Sequence, residues 1–413
     1  MEFDARFTMP PGVHAIPEHL LDLRPDQEID QVIMNPAPVT DEKNIWFFWV
    51  TGWSQMHPYG QRTVRAWHRR LSKLGWVIRV LDRLPDSPCN VDRFLDVDDR
   101  ANFPRAFAEG TVSGLYAAQH TSDLVRLPLL LRYGGVYSDV GMIQIGDLDR
   151  LWNETIANPA SPYEIVTYNM GGAEGRCLTN YFLASKRDNP LFLRAHKLLL
   201  AMWAEDGGKT STEGMHAHPL IKSVPMIPTG AEHTFEEGGV VYGPKEVAKL
   251  LADYIVQGQA ISLVMGLVDD EDEWNGPQYV VDHIFAMEYM EYSQLINDMT
   301  LWDGPRQFEL MSLPLPADGE AENADQKQAR EIVQACLQRS FGFKLATGLI
   351  IRVLGQTLSS LWRANVGSDI VPGTFAYWLR HGTIYWNQDK LPARLELTPV
   401  APYKVGPLLR DVE

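Results

Sequence analysis

Residues 122–142 read SDLVRLPLLLRYGGVYSDVGM: a polar pair, an apolar run at helical spacing, two glycines, then a short strand closing on a carboxylate. Ser122 suits a helix N-cap, and Leu124, Leu127, Leu130 and Leu131 make the apolar stripe of the helix it would begin. Gly134 and Gly135 stop that helix with the positive φ that glycine adopts without a steric penalty. Val136 and Tyr137 then open a strand, and Asp139 lands on the turn beyond it. Asp123 and Arg126, three residues apart, share one helix face and can both address the same place. Ligands of α/β sheets gather outside the carboxyl ends of strands, so this order of elements sets a carboxylate where a hydroxyl or a metal would be met.

On the N-terminal side, residues 44–53, NIWFFWVTGW, are dense in strand formers and predict a buried strand. Residues 62–74 carry a helical period, with Val64, Trp67, Leu71 and Leu74 inward and Arg65, His68, Arg69 and Arg70 largely outward. Gly75 ends that helix, and residues 76–81, WVIRVL, return as a strand, giving the βαβ alternation of a parallel sheet. Asp82, Asp147 and Asp149 read as acids of strand ends and capped turns. On the C-terminal side, strands are expected at 164–168 and 180–184 and a helix at 191–203, with Asn169 and Asn180 as possible hydroxyl readers that equally suit turns and strand ends. His216 and His218, two apart in a loop context, suit metal or phosphate, or simply a loop. The acidic run 269–273, DDEDE, reads as a solvated loop. Residues 314–323 form a loop, and 341–362 are expected to make one helix striped by Leu345, Leu349, Val353, Leu358 and Trp362.

With 413 residues, 45% hydrophobic and 22% charged, the chain is ordinary for a globular protein. A formal net charge of -16 argues against nucleic acid or anionic membrane as a partner, since both need a basic surface. Cys89, Cys177 and Cys336 are odd in number and lack CxxC spacing, so neither a disulfide framework nor a zinc site is suggested. The opening residues lack the zones of a secretory signal, and nowhere do about 18 uncharged apolar residues run together, so the expectation is a cytoplasmic protein with no transmembrane segment.

The set Ser122, Asp123, Arg126, Tyr133, Gly134, Gly135, Tyr137 and Asp139 resembles the DxD sugar-nucleotide region of GT-A fold glycosyltransferases of the capsular polysaccharide synthesis type, relatives of family 32. Gly141 departs from it, standing where the second Asp of DxD would be. The resemblance implies an α/β fold: an N-terminal arm at 1–40, a GT-A type catalytic domain at 41–312 and a helical extension at 324–413. It implies a small-molecule nucleotide-sugar donor, UDP-sugar favoured, an acceptor that is a glycan, lipid or small metabolite, and retention at the anomeric carbon. Asp123, Arg126 and Asp139 would be catalytic, and Trp49, Tyr137 and Asp139 would bind the nucleotide sugar. Mn2+ or Mg2+ would be held by Asp139 and His218, unless a basic side chain takes the metal's place; no lysine is singled out for that. Two other readings stand beside it: the same pocket turned to prenyl diphosphate or other small-metabolite chemistry, and a catalytically silent binding protein.

Overall fold

The structure, a computed structural model, describes residues 4–175, 177–230, 233–317 and 319–409. Residues 1–3 of the expected arm and residue 318 of the expected loop lie outside them. The centre is a six-stranded sheet. In chain order its strands are β1 (Asn44–Phe48), β2 (Val77–Leu81), β3 (Gly135–Ser138), β4 (Ile165–Asn169), β5 (Leu178–Ser185) and β6 (Ile284–Glu288), and in space they run β6-β4-β5-β3-β1-β2. Parallel pairing joins β6 to β4, β3 to β1 and β1 to β2, while β5 is antiparallel to both neighbours. The α/β class is therefore as expected, but the sheet is mixed rather than parallel. Five strands point one way, so their carboxyl ends share one edge with the amino end of β5.

Strand alternation fills both faces of the sheet. In β1, Trp46 and Phe48 join the cluster that holds Leu124, Leu127 and Tyr137, whereas Ile45 and Phe47 join Trp67 and Val136 on the other side. The helix Ala117–Tyr133 starts a full turn before Ser122, so that serine is an interior helical residue and not the N-cap. Its hydroxyl faces Tyr137 Oη at 2.7 Å. Gly134 and Gly135 do end the helix at positive φ, 65° and 94°. A Cβ on Gly135 would stand 2.4 Å from the carbonyl oxygen of Asn44, so the glycine allows β3 to approach β1.

The ends of the chain fold over this sheet. Residues Val13–Ala15 pair antiparallel with Trp386–Gln388, and the helix Asp26–Met34 buries Ile29 and Ile33. This cover inverts part of the expectation for the helix Pro58–Leu71, because His68 and Arg70 are buried rather than exposed. His68 Nε2 lies 3.0 Å from Asp22 Oδ2, and Arg70 donates to the carbonyls of Gln144 and Gly146. Residues 341–362 are not one helix: they divide into a strand, Gly342–Lys344, and helices Leu349–Leu354 and Leu358–Ala364, parted by Gly348 and Gly355 at positive φ. The strand pairs antiparallel with Met142–Gln144, with Lys344 opposite Met142. Among the described residues, no helix is long and apolar enough to cross a membrane.

Candidate active site

Asp139 stands at the middle of the edge where the strand ends gather, its backbone N–H bonded to the Tyr181 carbonyl of β5. From the helix behind β3, Arg126 reaches both acids that the spacing had aligned. Its Nη1 lies 2.5 Å from Asp123 Oδ1 and its Nη2 lies 2.9 Å from Asp139 Oδ1. The other oxygen of Asp139 meets Lys344 Nζ at 3.0 Å. Access to solvent is graded along this row: the side chain of Asp139 keeps 24% exposure, and those of Lys344, Asp123 and Arg126 keep 12%, 10% and 5%. Two hollows, of about 280 and 210 Å3, lie elsewhere, one beside His216 and Lys249 and one beside Arg70 and Asp147. Neither is lined by this charged row, which is singled out by its chemistry and not by the size of its opening.

Three polar residues complete the back of the cluster. Asn180, at the amino end of β5, donates to Asp123 Oδ1 at 3.2 Å and to Gln257 Oε1 at 3.3 Å. Gln257 in turn donates to the main-chain oxygen of Asp123 at 2.5 Å. Tyr137 is fully buried with the Arg126 guanidinium 5.0 Å over its ring, so it supports Arg126 from behind. That placement departs from the expected nucleotide contact of Tyr137, because an enclosed ring offers no face to a ligand. Trp49 follows β1 at the same sheet edge, half-buried against the core, with its backbone N–H donating to the carbonyl of Leu81. Asn169 is spent locally, donating to Gly172 and accepting from Cys177 N–H.

The two carboxylates differ electrostatically. Burial pushes Asp123 up to about 6 against the pull of Arg126. Burial also works against ionised Asp139, but Lys344 and then Arg126 outweigh it and hold that carboxyl below its usual range. Arg126 is cationic, its loss of hydration countered first by Asp123 and then by Asp139.

Lys344 and Gln257 are the site residues that sequence reasoning missed. A signal existed for each. Phe341, Phe343 and Leu345 alternate as a strand with Gly342 and Lys344 between them, and Gln257 is a polar residue in a helix buried along its whole length.

The chain matches the family model described as capsular polysaccharide synthesis protein over residues 21–209. The O-glycosyltransferase braB of Annulohypoxylon truncatum is 32% identical over 398 residues, covering 95% of this chain and 90% of that one. The glycosyltransferase afumC of Aspergillus fumigatus is 32% identical over 382 residues, 91% of this chain and 94% of its own. The chain belongs to their glycosyltransferase family. Among solved structures, the PaToxG glycosyltransferase matches at 15% identity with a TM-score of 0.24, over 43% of this chain and 66% of that one, a remote likeness. No feature of these relatives favours prenyl diphosphate chemistry or a silent binder. The acidic run 269–273, expected as a solvated loop, forms a short turn, with Asp269 capping Glu271 N–H and Asp272 paired to Arg194.

The residues present do not fit the divalent ion expected of such an enzyme. Position 141 has no side chain to ligate with, and both oxygens of Asp139 already face cations. His218 accepts the Leu220 N–H at Nδ1, which leaves the proton on Nε2 facing Glu205 Oε1 at 3.4 Å, so neither lone pair is available. His216 turns instead to Asp253, 3.0 Å away. Among the described residues, no group of three or more His, Cys, Asp or Glu side chains could hold a metal. A dication on Asp139 about 4 Å from the lysine ammonium would be repelled by on the order of 8 kcal/mol at an effective dielectric of about 20.

Proposed function

We propose that this glycosyltransferase moves a sugar from a nucleoside diphosphate donor, UDP-sugar first among them, to a hydroxyl of a glycan, lipid or small metabolite, with retention at the anomeric carbon. The single observation that carries it is Arg126 bridging Asp123 and Asp139 at the sheet edge where ligands of α/β folds gather. The similarity to braB, an O-glycosyltransferase, supports an oxygen acceptor. The catalytic domain spans residues 41–312, with 324–413 as an extension that adds Lys344 to its site and 1–40 as the leading arm.

In this reading Asp123 and Arg126 orient the donor sugar through its hydroxyls, Asp139 meets the ribose or the sugar, and Trp49 stacks on the base. The anomeric C–O bond breaks with its electron pair remaining on the β-phosphate oxygen, and the acceptor oxygen bonds to the anomeric carbon. The acceptor's proton leaves on the departing diphosphate. Asp123 and Asp139 are both paired to cations, which supports a leaving group that takes the proton itself and attack from the face it vacates.

Isothermal titration calorimetry with UDP- and GDP-sugars tests the reading. Wild type should bind at least one of them, and Arg126→Ala should weaken that binding by about tenfold or more, a loss of at least about 1.4 kcal/mol. Absence of binding to every nucleotide sugar, or undiminished binding by a folded Arg126→Ala variant, defeats it.

A further inference from the structure

We infer that Lys344 supplies the positive charge that a divalent metal supplies elsewhere, and that it neutralises the donor's diphosphate as the glycosyl bond breaks. The inference rests on the nucleotide-sugar reading above and deepens it. Four observations converge on this lysine. Its Nζ lies 3.0 Å from Asp139 Oδ2, on the side of that carboxylate away from Arg126. It also lies 3.5 Å from where a Cβ of Gly141 would be, so the ammonium borders the space that a second aspartate of a DxD pair would enter. The charge is held in place: Lys344 opposes Met142 in the ladder, and the next residue, Leu345, donates its N–H to the carbonyl of Gly141 at 2.9 Å. The ammonium also sits 5.6 Å over the ring of Tyr181, whose hydroxyl is tied to Ser293 Oγ at 2.6 Å.

Charge balance makes the row receptive to an anion. Asp123 and Asp139 are matched by Arg126 and Lys344, so the cluster is neutral and two of its charges are cations bound to one shared carboxylate. A donor diphosphate arriving beside Asp139, the most exposed side chain of the row, meets an ammonium that already has a fixed direction and needs little reorganisation. As the anomeric bond opens, the electron pair settles on the β-phosphate oxygen, and Lys344 is the cation placed to receive that charge. A lysine is a compact point charge with three donors, so its ammonium can meet a phosphate oxygen from where it stands beside Asp139. Asp139 keeps Arg126 when it does so.

The experiment compares UDP with UMP and GDP with GMP by calorimetry, with EDTA and with Mn2+, on wild type, Lys344→Ala and Lys344→Arg, with thermal melting to confirm folding. Wild type should prefer one diphosphate over its monophosphate by about tenfold, unchanged within about twofold by EDTA or Mn2+. Lys344→Ala should abolish that preference while leaving monophosphate affinity within about twofold, and Lys344→Arg should restore part of it. A purely structural lysine would weaken both nucleotides alike, which would overturn the inference. Diphosphate binding that appears only with Mn2+ overturns it too while leaving the nucleotide-sugar reading intact. Failure of every nucleotide to bind under all conditions overturns both.

Discussion

Two carboxylates on one guanidinium titrate in different ranges. Asp123, the less exposed of the two, is pushed by burial up to about 6, whereas Asp139, facing Lys344 as well, is held below its usual range. The sign for function follows from the charge that Arg126 needs opposite it. Lowering the pH through about 6 protonates Asp123, removes one of the two acceptors that aim the guanidinium, and should weaken donor binding. Calorimetric affinity for the donor nucleotide sugar should therefore fall on the acid side of that value, and Asp123→Asn should flatten the pH dependence at a reduced affinity. For stability the sign is opposite: a carboxyl raised above its ordinary 3.8 favours the fold at low pH and loses that contribution as the pH climbs through about 6. Asp123, Arg126 and Asp139 were legible because helical spacing and a glycine stop place them without reference to the rest of the chain. Their protonation was not, because it depends on what encloses them.

At the scale of elements, the close approach of β3 to β1 rests on one glycine. Gly135 at φ 94° has the Asn44 carbonyl oxygen 2.4 Å from its virtual Cβ, so Gly135→Ala adds backbone strain and a clash with main chain that cannot turn aside. Urea denaturation should show a loss on the order of 3 kcal/mol. Gly12, at φ 76° with nothing within 4 Å, is the comparison, and Gly12→Ala should lose only about 1 kcal/mol. Equal effects at the two sites would show that the contact is not limiting. Residues 341–362 teach the complementary lesson. Their apolar period from Leu345 onward is helical, yet Gly342 sits where a Cβ would meet Met142 Cε at 2.1 Å, so its segment pairs as a strand against residues 142–144. Local period cannot reveal a partner strand that lies elsewhere in the chain.

Over the whole molecule, the C-terminal residues are joined to the helix Pro58–Leu71 by charge as well as by apolar packing. Asp369 is fully buried and receives Arg62 from the helix Pro58–Leu71 and Arg380, whose Nη2 is 2.8 Å away, from the helix Phe375–Tyr385. Removing the carboxylate would leave two guanidinium groups facing each other in a nearly dry interior. Asp369→Ala should cost about 3 to 5 kcal/mol in chemical denaturation. A loss below about 1 kcal/mol, the range of an exposed pair, would mean that the arginines find other partners. Burial opposes the charge of Asp369, but Arg380 and then Arg62 hold its carboxyl below the ordinary value, so this contribution is present at neutral pH and is lost on acidification below about 3.8. From the sequence alone came the α/β class, the glycine stop, a strand within 44–53 and the alignment of Asp123, Arg126 and Asp139, because each is written in a local period that the backbone must obey. Only the tertiary structure decided that β5 runs antiparallel, that His68 and Arg70 are buried, that His218 turns to Glu205, and that Lys344 stands beside Asp139. Those outcomes depend on which distant segments cover one another, and burial and long-range pairing are properties of the packed chain that no local pattern encodes.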